Sequence, residues 1–276
     1  TSDDNNEIEI YDSNFNLIRK VDTGMTGPKY VSKHKESLIV GGKNGLYILG
    51  STNSEKLLND NIVALYKNPS NEKIVVGNDN STIYKIDLNT NEKIQTTQLK
   101  NENPLFQILS TVDNSILLAT QGGLIKIKPS GEEITLFNKD FVYCVAETPE
   151  FYIFGTRTSI YSINKIDYKT NEIYNTNKPF YSIATDSEGE FVASSINELI
   201  LSDNGTIYRI PTNYGSQEEY NTQSGIYWQQ NFLFGGISGV SLISKSEIKS
   251  QITKHKIKTN INELLVFNKE VKIKSD

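Results

Sequence analysis

The feature that most constrains this chain is a short apolar run ending in a small residue, and it recurs six times. It reads Leu38-Ile39-Val40-Gly41, Ile74-Val75-Val76-Gly77, Ile116-Leu117-Leu118-Ala119, Tyr152-Ile153-Phe154-Gly155, Phe191-Val192-Ala193-Ser194 and Phe232-Leu233-Phe234-Gly235. The last residues fall at 41, 77, 119, 155, 194 and 235, so the spacings run from 36 to 42. A period of that size marks a chain of stacked supersecondary units, none of which can bury its apolar face alone. Within each unit the strand period of two dominates, and long helical periodicity is missing.

Each run is flanked in the same way. A first strand precedes it, as in Leu105-Phe106-Gln107-Ile108-Leu109 or Val142-Tyr143-Cys144-Val145. An alternating strand follows it, as in Thr82-Ile83-Tyr84-Lys85-Ile86 or Ser159-Ile160-Tyr161-Ser162-Ile163. A turn such as Asn89-Thr90-Asn91 or Asp203-Asn204-Gly205 then leads into an outer strand. Four short antiparallel strands in about 40 residues make one blade of a β-propeller.

The expected fold is therefore all-β: one seven-bladed propeller domain over 1–276, with four-stranded antiparallel blades. The blades are expected at about 24–60, 61–102, 103–139, 140–178, 179–223 and 224–260, with a seventh made from 261–276 plus 1–23. In that last blade Lys272 and Lys274 would lie beside Glu7 and Glu9, each cross-strand pair being worth roughly 0.2–1 kcal/mol. Closing the ring from both ends removes exposed sheet edges.

Tyr11-Asp12 and Ile86-Asp87 stand where the Trp-Asp pair of WD40 repeats ends a third strand, and the repeat length and strand order agree along the whole chain. The sequence thus resembles a divergent WD40-like seven-bladed propeller. It departs from that family in lacking Gly-His before the first strands and in having its single Trp at 228. Double glycines such as Gly41-Gly42 look like those of kelch propellers, and Leu38 to Ile48 is also similar to citron-homology and sensor propellers. The resemblance implies a scaffold, a sensor or an enzyme without choosing among them.

Several chemistries are excluded by composition. One cysteine, Cys144, allows no disulfide framework within the chain, and two histidines, His34 and His255, allow no histidine-rich metal site. The net charge of −5 gives no strong case for nucleic acid, and no apolar run is long enough for a membrane span. Cys144 lies between apolar neighbours and reads as a buried, inert thiol, and both histidines read as solvated. No cofactor, no metal and no catalytic residue are expected, so the chain is not expected to be an enzyme. An intracellular setting, cytoplasmic or nuclear, is favoured, with a secreted or periplasmic one left open.

Three surfaces are candidates for binding. Aromatic residues near the starts of first strands, Tyr30, Phe106, Tyr143, Tyr181 and Tyr227 with Trp228 beside them, would ring the central opening. The alternative is that these rings pack between blades. Lys249, Lys254, Lys256 and Lys258 would form a basic outer edge on the sixth blade, in a segment (245–276) of net charge +4. The polar connection 212–221 carries Tyr214 and Tyr220, placed to anchor a partner. The expected function is a non-catalytic scaffold presenting its faces to another protein or peptide. A propeller that senses a small molecule or sugar in its opening is the alternative, with a lyase or hydrolase third.

Overall fold

The computed structural model describes residues 6–12, 14, 16–25, 27–50, 54–67, 72–100, 102–214, 216–248, 265–266 and 269–270. Five consecutive sheets contain four antiparallel strands each, connected in simple up-and-down order. They are blades 1 to 5, beginning with the inner strands Pro28–His34, Ile62–Lys67, Leu105–Ser110, Val142–Glu147 and Phe180–Thr185. A sixth blade has three strands, Tyr220–Trp228, Asn231–Gly236 and Gly239–Ser244. Ahead of blade 1 the hairpin Glu7–Tyr11 and Leu17–Asp22 forms a two-stranded sheet. The described residues thus form a β-propeller of six blades, not the expected seven.

The core lies between blades rather than within them. One apolar layer joins Ala64, Val75 and Ile83 of blade 2 to Leu105, Ile108 and Leu118 of blade 3. Equivalent layers join blades 1 and 2, 3 and 4, 4 and 5, and 5 and 6. A smaller layer (Met25, Val40, Leu49) receives Ile8 and Val21 of the hairpin, which therefore caps the free face of blade 1. On blade 6 no such layer is seen among the described residues: Ile226, Val240 and Leu242 are about half exposed.

This packing explains the glycine that ends the repeated run in blades 1, 2 and 4. The first residue of the next inner strand rests on it. A Cβ at Gly77 would stand 2.3 Å from Leu105 Cδ2, and one at Gly155 would stand 2.6 Å from Phe180 Cβ and 2.7 Å from Cys144 Sγ. At these places the blades nest so closely that the second strand has no room for a side chain. The turns follow their sequences: Asn204 and Gly205, both at positive φ (49° and 73°), join the third and outer strands of blade 5.

Of two expectations about charged groups, that of a solvated His34 is corrected, and that pairing Glu7 and Glu9 with Lys272 and Lys274 falls outside the described residues. Glu7 and Glu9 find their cation within the hairpin, where Lys20 Nζ lies 3.7 and 2.7 Å away. Lys272 and Lys274 lie outside the described residues. His34 is buried, not solvated, because the end of its inner strand folds it against Glu72, 2.8 Å from Nδ1. A buried polar node also joins blades 3 and 4. Lys126 Nζ contacts Asp113 (2.8 Å) and the Tyr152 hydroxyl (2.9 Å). Burial works against the ammonium, but its hydrogen bonds outweigh that penalty: Lys126 is pushed up, and Asp113 is held well below the usual carboxylate range.

Candidate functional site

Each inner strand of blades 1 to 5 contains one residue too many. Its pairing with the second strand slips between Pro28 and Tyr30, Ile62 and Ala64, Leu105 and Gln107, Val142 and Cys144, and Phe180 and Ser182. The extra residue of such a bulge leaves the ladder and is re-aimed. These residues are Lys29, Val63, Phe106, Tyr143 and Tyr181. In blade 6 the slip is larger: Asn221, Thr222, Gln223 and Ser224 stand opposite Gly235 alone.

Three adjacent bulges carry aromatic side chains, and these meet in an arc at the end of the channel where inner strands begin. Phe106 and Tyr143 have ring centroids 5.0 Å apart, and Tyr143 and Tyr181 are 5.9 Å apart. Phe141 joins the arc 6.5 Å from Phe106 and 6.3 Å from Tyr143. Arg157 lies over Phe141, 4.7 Å from its centroid, held by Asp140 at 2.5 Å. All four rings are half-buried. Burial pushes the hydroxyls of Tyr143 and Tyr181 above the ordinary phenol range, with Glu219 adding to the second. Both therefore stay neutral and able to donate.

The arc opens at Phe106 into a cleft of about 200 Å³, whose lining includes Tyr30, Asn61, Val63 and Thr222, with Lys29 and Lys43 at its rim. The strap 221–224 crosses the channel here. The Gln223 side-chain amide donates to the Phe106 carbonyl, and Gly225 N–H donates to Ser182 Oγ. Beyond the strap, at the far end, the inner strands of blades 2 to 6 enclose a cavity of about 610 Å³. Its lining includes Tyr66, Lys67, Gln107, Glu147, Thr185 and Tyr227.

The residues singled out from sequence thus divide. Phe106, Tyr143 and Tyr181 come together. Tyr30 is one position past its bulge, the register of Cys144 and Ser182, so its ring turns between blades 1 and 2. There its hydroxyl donates to the Val63 carbonyl, and burial pushes it up to about 12. Tyr227 and Trp228 fall at the opposite end of the channel, since the strap displaces their strand; Tyr227 packs on Phe232 at 4.9 Å. Tyr220 is a buried anchor, its hydroxyl accepting from Gln217 N–H at 2.7 Å. Tyr214 is exposed on a short 3-10 turn, Thr212–Tyr214. Lys249, Lys254, Lys256 and Lys258 lie outside the described residues. Phe141, Arg157, Lys29 and Lys43 were not singled out. Phe141 was within reach, since it precedes Val142-Tyr143 directly, whereas Arg157 and Lys43 come from turns that no pattern ties to the mouth.

Two other clusters are already satisfied. Asp186, Glu188 and Glu190 could together hold a cation, but Lys245 Nζ sits among them at 2.5, 3.6 and 2.9 Å. Cys144 is fully buried, with its thiol pushed up by desolvation, which suppresses nucleophilic thiolate.

The fold class is shared with solved propellers. A streptogramin B lyase structure matches with TM-score 0.70 at 14% identity, covering 86% of this chain and 87% of that one. The extracellular domain of a one-component system of B. thetaiotaomicron matches with TM-score 0.61 at 19% identity, covering 79% of this chain. This chain spans 33% of that protein's length. No family profile matches the chain, and no curated protein sequence matches it. Among the described residues no helix is long and apolar enough to cross a membrane.

Proposed function

We propose that the chain is a non-catalytic recognition module that holds a segment of another protein, or a peptide, against the aromatic arc. One observation carries this reading: three consecutive blades spend their bulge residue on an aromatic side chain, so that Phe106, Tyr143 and Tyr181 form one half-buried platform. Such rings supply large contact area at low entropy cost, and the two tyrosines add polar tips. The test is selection from a displayed random-peptide library on the wild-type protein, followed by binding to a Tyr143→Ala/Tyr181→Ala variant. Both side chains are only half-buried, so the variant retains its fold, checked by circular dichroism. A selected consensus that loses at least tenfold in affinity supports the reading (about 1.4 kcal/mol). Selected peptides that bind both proteins equally overturn it.

A second reading rests on the cavity of about 610 Å³ at the far end, large enough for a small polar ligand, whose lining includes Tyr66, Gln107, Gln223 and Tyr227. It predicts that Tyr66→Phe/Tyr227→Phe, and not the arc variant, abolishes a metabolite-induced thermal shift. We also infer that a seventh, composite blade closes the ring. The hairpin already caps blade 1 through Ile8 and Val21, while Val240 and Leu242 of blade 6 present the face a neighbouring blade would cover. Closure predicts that Leu242→Lys destabilises the protein. A stability unchanged by this substitution counts against closure.

A further inference from the structure

The bulge position is aromatic or apolar in blades 2 to 5 and cationic in blade 1. Lys29 therefore faces the platform across the mouth, and Lys43, from the turn between the second and third strands of blade 1, joins it at the same cleft. Both are exposed, and neither has an ion-pair partner among the described residues. Asn61, whose amide donates to Asp79 at 3.0 Å, and Thr222 also line the cleft, and Phe106 is shared by cleft and platform. On the platform side Asp140 is paired with Arg157 and Glu219 is close enough to influence Tyr181, while beside the cleft stands the Asp79 carboxylate that accepts from the Asn61 amide.

Resting on the recognition reading above, we propose that the ligand is an extended peptide whose carboxylate enters the Lys29–Lys43 cleft while its apolar or aromatic side chains lie along Phe106, Tyr143 and Tyr181. The spacing suits this. Alternate side chains of an extended chain are roughly 6.5 Å apart, longer by about 0.5–1.5 Å than the 5.9 and 5.0 Å between successive rings, a difference that a peptide crossing the arc at an angle accommodates. The cleft, at about 200 Å³, holds one short acidic group and not a run of them. A polyanion such as single-stranded nucleic acid also finds aromatic rings and lysines congenial, but beyond the two lysines it would meet Glu219 and an Arg157 already neutralised by Asp140. One carboxylate at one end and an uncharged or basic continuation fit the charge distribution better. The carboxylate is an Asp or Glu side chain or a chain terminus.

The experiment uses three fluorescein-labelled octapeptide pools of matched aromatic content: one with Asp and Glu and an amidated end, one neutral with a free C-terminal carboxylate, and one neutral and amidated. Fluorescence anisotropy is read on wild type, Lys29→Gln/Lys43→Gln and Tyr143→Ala/Tyr181→Ala proteins, with labelled decathymidylate as a further probe. The expected result is that one carboxylate pool binds roughly tenfold or more tighter than the neutral amidated pool. Lys29→Gln/Lys43→Gln removes that preference while leaving the weaker binding common to all pools. Which carboxylate pool wins identifies the source. Equal binding of all pools that still depends on Tyr143 and Tyr181 overturns the carboxylate inference and leaves the recognition reading standing. Binding insensitive to Tyr143→Ala/Tyr181→Ala overturns both. Absence of binding by every pool, or decathymidylate binding as tightly as the best pool, overturns the carboxylate inference.

Discussion

Replacing Gly155 by Ala tests the account of how the blades nest. The added methyl would meet Phe180 Cβ at 2.6 Å, Cys144 Sγ at 2.7 Å and the Phe180 carbonyl oxygen at 3.3 Å. Carbon atoms prefer separations of about 3.5–4.0 Å, so something must move by roughly an ångström. Phe180 and Cys144 are both fully buried, and the atoms in the way are a Cβ, a backbone oxygen and a sulfur pinned by its contact with that same oxygen. None is the swinging end of a flexible side chain. Overpacking of this kind costs about 1–3 kcal/mol. The reduced freedom of the unfolded chain returns about 0.4–1 kcal/mol, leaving a net loss of about 1–2 kcal/mol. Urea unfolding followed by circular dichroism and by Trp228 fluorescence reads this directly, provided the two probes coincide. Gly235→Ala is the internal comparison, because a Cβ there meets only Ser224 Cβ, at 3.5 Å, among the described residues. The described neighbours predict a change within about 0.5 kcal/mol, while a loss matching that of Gly155→Ala would mean that a seventh inner strand rests on Gly235. A Gly155→Ala protein as stable as wild type would refute the nesting argument.

Lys126→Met leaves Asp113 and the buried Tyr152 hydroxyl without their cation, and denaturant titration should show a loss of about 2–3 kcal/mol, less than for a fully buried pair because Asp113 is half exposed. Asp113 is held low in the folded state, so its contribution is present above the ordinary carboxylate range and is lost as the pH falls below it; the acid limb of a stability–pH curve should be shallower in the variant. Tyr30 titrates at about 12 in the fold against about 10 when unfolded, so its neutral form contributes stability below pH 10 that is lost as the pH rises toward 12. Tyr30→Phe should lower stability at neutral pH but remove about 2 kcal/mol of that alkaline loss, together with one late-titrating phenol at 295 nm. Cys144 should react with a thiol reagent only on unfolding, so native protein should show no fast-reacting thiol and urea-denatured protein one equivalent.

The propeller was legible because two periods coincide in the sequence, the alternation within each strand and the recurrence of a small residue every 36 to 42 positions. Gly41, Gly77 and Gly155 announce themselves since the next blade leaves no room for a side chain, which is a constraint on residue type at a fixed place. The blade count was less secure. Strand order within a repeat is a local property, whereas pairing between the chain's two ends depends on residues far apart, and the charge pattern offered more than one solution. Lys20 lies across the hairpin from Glu7 and Glu9 and reaches both, while the expected partners Lys272 and Lys274 lie outside the described residues.

At the site, register decided which readings survived. Alternation predicts the face a residue takes only while the ladder is unbroken, and each inner strand here is broken by a bulge within its first three residues. Phe106, Tyr143 and Tyr181 are the bulge residues themselves, while Tyr30 lies one position later and is turned between blades. The same break is what makes a platform possible. In a regular strand, residues at that position would alternate between the two neighbouring blades, and none would face its counterpart in the next blade across the mouth. In blades 1, 3, 4 and 5 the bulge frees one side chain from the inter-blade apolar layers, so the identity of that residue can vary without disturbing the core, whereas Val63 of blade 2 still packs on the layer shared with blade 3. That freedom accounts for a set running from Lys29 to three aromatics on a common frame. It also makes Lys29, Phe106, Tyr143 and Tyr181, rather than the aromatic residues as a class, the positions at which substitutions should alter recognition and leave stability largely unchanged.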